Sequence, residues 1–91
     1  MTKPVYQRVV GVSAQKIDED MFLATEQTGA IFHLNPVAAA FWHSLESPAS
    51  LTNIVEVFAV AFPDQDRATL QRELSDLAME MKKQKLIEQV A

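Results

Sequence analysis

The apolar residues of this chain change their spacing at Asn35-Pro36. Before that point they alternate with polar residues or stand in short runs bounded by turn residues. After it they recur at every third and fourth position. A period of two marks a strand with one buried face, and a period of 3.6 marks a helix with one buried stripe. A chain that holds both, divided at one point, is predicted to be an α+β fold with a small sheet first and a helical half after it. With 91 residues the chain has room for a single domain, residues 1–91, whose core is expected over about 12–88.

Three strands are predicted in the first part. Residues 9–17 are rich in β-branched side chains, and Val12, Ala14 and Lys16 alternate with Ser13, Gln15 and Ile17. Asp18, Glu19 and Asp20 make a polar turn. Residues 21–26 form a short apolar second strand. Gln27, Thr28 and Gly29 turn the chain again, with Gly29 free to take the positive φ that such loops require. Residues 30–34 form the third strand, in which Phe32 and Leu34 share the more apolar parity and are assigned inward. Tight turns make these an antiparallel meander with the second strand in the centre. The first eight residues show no period and are expected to fray.

Three helices are predicted next. Asn35 is an N-cap and Pro36 sits at N1, where its missing N–H costs nothing. Val37, Ala40, Phe41 and Leu45 form the expected stripe of the first helix, with Trp42 beside it in the core. Ser50 caps the second, with Leu51, Ile54, Val55, Phe58 and Phe62 on its apolar face. Val57, Val60 and Ala61 make that helix apolar nearly all round, so it is expected to be the most buried. Pro63 ends it. Asp64 or Asp66 caps the third, whose stripe is Leu70, Leu74, Leu77 and Met81. Lys82, Lys83 and Lys85 suit its C-terminal dipole. Leu86 and Ile87 return to the core. The result is winged helix-turn-helix-like, a three-stranded antiparallel sheet followed by three helices.

Charge is unevenly spread. Residues 1–17 carry +3 with no acid, residues 18–66 carry −8 with no Lys or Arg, and residues 67–91 carry +1, for −4 in all. Nucleic-acid binding needs bases against phosphates. A base-free stretch of more than half the chain argues against it. There is no cysteine, so disulfides, thiolate metal sites and cysteine nucleophiles are excluded. Met1, Thr2, Lys3 and Pro4 lack the apolar stretch of a signal peptide, and no uncharged apolar run is long enough to span a membrane. A cytoplasmic chain is expected. His33 and His43 have no ligand spacing for zinc. Asp18, Glu19 and Asp20 lack the full calcium-loop pattern. Ser13, Ser44, Ser47, Ser50 and Ser75 have no nucleophile motif, and no phosphate-binding glycine loop is present. No enzyme activity, no cofactor and no metal are expected.

The passage LATEQTGAIFHLNPVAAAFWHSL from Leu23 resembles the PqqD-like peptide chaperones, also called RiPP recognition elements. The resemblance lies in Gly29, Phe32, Leu34-Asn35-Pro36, the small residues Ala38, Ala39 and Ala40, and Trp42, with Ser50, Ile54 and Leu86-Ile87 in the expected layout. The family usually has Gly just before the final Leu-Ile pair, where this chain has Lys85. It often has Asp-Gly after the first helix, where this chain has Glu46-Ser47-Pro48. The resemblance implies binding of a precursor peptide's leader segment and its presentation to a maturation enzyme, such as a radical-SAM protein, cyclase or leader peptidase. No nucleic acid and no membrane are expected as partners.

The residues themselves supply a site for this. The third strand (Ala30, Ile31, Phe32, His33 and Leu34) carries no Lys, acid or Pro, the usual devices that protect a sheet edge. Either the chain's own loops or N-terminal residues cover it, or a partner strand does. On the third helix one flank holds Arg67, Ala68, Gln71, Ser75, Ala78, Met79 and Lys82, acid-free and mostly small. The resemblance implies that the peptide adds to the third strand in a groove beside the third helix, and this flank is expected to line it, with Met79 adapting to varied side chains. Which parity of the strand faces the peptide stays open. A winged-helix DNA-binding domain and a structural subunit of a larger enzyme are the alternatives.

Overall fold

A computed structural model describes residues 4–90. The three expected strands are present as β2 (Val12–Ile17), β3 (Asp20–Thr25) and β4 (Ile31–Leu34), an antiparallel meander in the order β2-β3-β4. Asp18 (φ 57) opens the first turn and Gly29 (φ 70) closes the second. The helices are α1 (Pro36–His43), α2 (Leu51–Ala61) and α3 (Arg67–Lys83). Each begins where a side chain satisfies an orphan backbone donor: Asn35 accepts from Ala38 N–H, Ser50 from Asn53 N–H and Asp66 from Thr69 N–H.

Three expectations are corrected. The N-terminal residues do not fray from Val5 onward. Val5–Arg8 is a strand, β1, at the centre of a second antiparallel sheet between β5 (Ala49–Ser50) and β6 (Ile87–Gln89). Its partners lie far along the chain, with Tyr6 opposite both Ala49 and Gln89, so no hairpin signal marks it. Pairing there buries Tyr6 in the core. The fraying expected of Met1, Thr2 and Lys3 falls outside the described residues. The fold is thus α+β with two three-stranded sheets, rather than one sheet followed by helices. Second, α2 is not buried all round. Leu51, Ile54, Val55 and Phe58 face the core, while Val57 and Val60 are 62% and 82% exposed. Phe62, at its C-cap, is also exposed, at 44%. Third, α1 is turned so that Ala38, Phe41, Trp42 and Leu45 are buried, leaving Val37 exposed.

One apolar cluster joins the parts. It holds Tyr6 from β1, Leu23 and Leu34 from the meander, Phe41 and Trp42 from α1, Ile54 and Phe58 from α2, Leu74, Ala78 and Met81 from α3, and Leu86 and Ile87. Phe32 and Leu77 pack against it half-buried. The stripe on α3 therefore runs through Leu70, Leu74, Ala78 and Met81. The helix ends in a Schellman motif: Leu86 N–H bonds to the Met81 carbonyl and Lys85 N–H to that of Lys82, with Lys85 left-handed at φ 63. The left-handed stop is thus made without the glycine that the family usually carries there.

Candidate functional site

The register of β4 decides which of its backbone groups are free. Thr25 N–H donates to the Ala30 carbonyl at 3.1 Å, and these two residues are directly opposite in the β3–β4 register. In an antiparallel ladder bonded and non-bonded pairs alternate. Leu23 with Phe32 and Met21 with Leu34 are therefore the next bonded pairs. Ile31 and His33 fall in between, so their N–H and C=O groups point away from β3. A second bond agrees: Glu26 N–H donates to the Gly11 carbonyl at 3.1 Å, which turns the even-numbered residues of β3 toward β2 and the odd-numbered ones toward β4. Among the described residues no strand pairs with the outer edge of β4.

Side chains follow the opposite alternation. Leu34 is buried and Phe32 half-buried, as their parity predicted, while Ile31 is 71% exposed. The His33 ring stands on the outer face, 5.1 Å from the Phe22 ring and with Nε2 3.1 Å from the Asp20 carboxylate. Between β4 and α3 runs a groove of about 220 Å³. Phe32, Leu34, Ala38, Leu77, Met81 and Leu86 supply its apolar lining. Glu80 and Gln84 stand at its rim, with the Gln84 amide donating to the Glu80 carboxylate.

The α3 side of this groove corrects the sequence reading. The residues that line it with β4 are Leu77, Glu80, Met81 and Gln84; none of the acid-free flank is among them. Ala78 is fully buried in the core. Arg67 pairs with Glu56 of α2. Lys82 bonds to Gln89 of β6 and lines a cavity beside the second sheet. Ala68, Gln71 and Met79 are exposed and Ser75 half-buried, all outside the groove. The cause is the stripe. With Ala78 rather than Leu77 at its centre, α3 is rotated so that the acid-free flank turns away from β4 and the Glu80 flank faces it. The small side chain of Ala78 was the available signal, since it extends the Leu70-Leu74 row by one more step of four.

Among the described residues no group of three or more His, Asp or Glu side chains has the arrangement to hold a metal ion. No helix of the described chain is long and apolar enough to cross a membrane.

Fold and edge together define a small α+β recognition domain that leaves one strand open beside a helix. The chain belongs to the PqqD family: the family described as Coenzyme PQQ synthesis protein D (PqqD) matches residues 20–87. Among solved structures it is similar to TbiB1 in complex with the TbiA(beta) leader peptide. The TM-score is 0.83 at 28% identity, covering 93% of this chain and 98% of that one. The search of curated proteins returns no match.

Proposed function

We propose that this chain binds the leader segment of a ribosomally made precursor peptide as an added strand on β4, and presents it to a modifying enzyme. The observation that carries this is the outward pair of backbone groups at Ile31 and His33, next to an apolar groove. A similar protein is solved with a leader peptide. Proteins of this kind recognise rather than catalyse, and we read this chain as doing no chemistry of its own. It raises the local concentration of precursor at its partner enzyme.

The geometry supports one mode. An antiparallel leader bonds to Ile31 and His33, while its residues opposite Phe32 and Leu34 point into the groove. Those are the non-bonded positions, where facing backbones approach most closely. Two N–H and two C=O groups offer four backbone bonds, each contributing about 0.5–1.5 kcal/mol net. Each anchored apolar side chain adds about 1.5–3 kcal/mol. Ordering the peptide costs about 2–5 kcal/mol. Micromolar affinity, about −8 kcal/mol, lies toward the upper end of that range.

Calorimetric titration of leader peptides at rising salt tests the reading. Shallow salt dependence and loss of binding in Ile31→Pro support it. Steep dependence with binding to DNA would return the winged-helix alternative.

A further inference from the structure

The two ends of the groove differ in charge. Beyond its Leu34 end, on the same side of α3, lies a second cavity lined by Val37, Phe58, Phe62, Leu70, Leu74 and Glu73. Glu73, Leu77, Glu80 and Gln84 follow at steps of four and three, which is one helix face. Glu73 stands at this end and Glu80 within the groove itself. Among the described residues no Lys or Arg lines either cavity.

At the Ala30 end the turn residue Gln27 lines a third cavity of about 380 Å³, together with Lys82, Lys85, Val9 and β6. Gln84 and Leu86 line the groove while Lys85 and Ile87 line this cavity, so the two lie on either side of the α3 stop. Glu88, the one acid of that lining among the described residues, accepts a hydrogen bond from the Gln7 amide. Glu26, also in the turn, lies against Gly11 on the β2 side. The path along β4 therefore runs from an acidic end at Leu34 to a basic end at Ala30.

Resting on the strand-addition reading above, we infer that this charge polarity selects the leader's class and direction. A peptide antiparallel to β4 meets the Leu34 end first. The favoured segment therefore carries Lys or Arg before its strand-forming core and Asp or Glu after it. Complementary charge sets register and rejects wrong partners more than it adds affinity. The reverse order places like charges together at both ends.

The test uses the full chain and a displayed library of random 16-residue peptides. Selected peptides are first sorted by whether Ile31→Pro and His33→Pro abolish their binding, with circular dichroism to confirm folding. Among groove binders, the expected consensus is basic-apolar-acidic. Exchanging the charged ends of the best peptide should weaken binding about tenfold, as expected for several exposed pairs of small individual worth. The combined variant Glu73→Lys, Glu80→Lys, Lys82→Glu, Lys85→Glu should reverse that preference. High salt should erase it. Groove binders with no charge order, or an exchanged peptide that binds equally well, would overturn the polarity and leave strand addition standing. Peptides indifferent to both proline variants, or no peptide recovered at all, would overturn strand addition and the polarity with it.

Discussion

The Arg8 guanidinium lies 4.3 Å from the centre of the Trp42 ring, and its Nη2 donates to the Trp42 carbonyl at 2.7 Å. One side chain thus joins the N-terminal strand β1 to the last turn of α1, where a cation suits the helix dipole. Stacking on indole adds about 0.5–2 kcal/mol, and a charged hydrogen bond about 1.5–3 kcal/mol. Arg8→Met, which keeps the apolar stem, should destabilise the domain by roughly 2–5 kcal/mol, from a thermal melt, because both terms go. Arg8→Lys should recover little. An ammonium lacks the planar fork that stacks and donates together. A melt of Arg8→Lys equal to wild type would show that only the charge matters.

Lys85 occupies the left-handed position of the α3 stop. An L-residue there is strained by about 1–2 kcal/mol, and glycine is not, though glycine loses more entropy on folding. Lys85→Gly should therefore raise stability by up to about 1 kcal/mol, or roughly 4–8 °C in melting temperature for a domain this size. Its side chain is exposed, so little packing is lost. A lowered melt would mean the lysine makes a compensating contact.

Proline along β4 should separate binding from folding. Ile31→Pro and His33→Pro remove outward donors and should weaken a groove-binding peptide at least about tenfold with the β3–β4 pairing kept. Phe32→Pro removes an inward donor and an apolar side chain, so it should lower the melting temperature instead. Calorimetric titration and circular dichroism on the three variants give both readouts. Equal melting losses in all three would contradict the register derived from the Thr25–Ala30 bond.

The two faces of α2 should respond oppositely to charge. Val60→Lys, at an exposed position, should change stability by no more than about 0.5 kcal/mol. Val55→Lys places a cation in the core and should unfold the domain or cost several kcal/mol. Denaturant melts compare them directly. A large loss in Val60→Lys would restore the fully buried helix that composition suggests.

What the sequence determined by itself is local. Asn35, Ser50 and Asp66 cap their helices from the side-chain chemistry of one residue and the donors three positions on. Gly29 takes the positive φ its turn needs. The alternation of Ile31, Phe32, His33 and Leu34 assigns the inward pair, because a strand's period is two whatever its neighbours. Tertiary structure decided the rest. β1 became a strand only because β5 and β6 reach it from distant parts of the chain. The exposure of Val57 and Val60 reflects how many neighbours α2 finds, which its own composition does not state. The sequence offered α3 two flanks, and the fit of Ala78 into the core chose which one meets β4. Local signals extend one helical turn or one hairpin, whereas a groove between a strand edge and a helix depends on the rotation of one packed element against another.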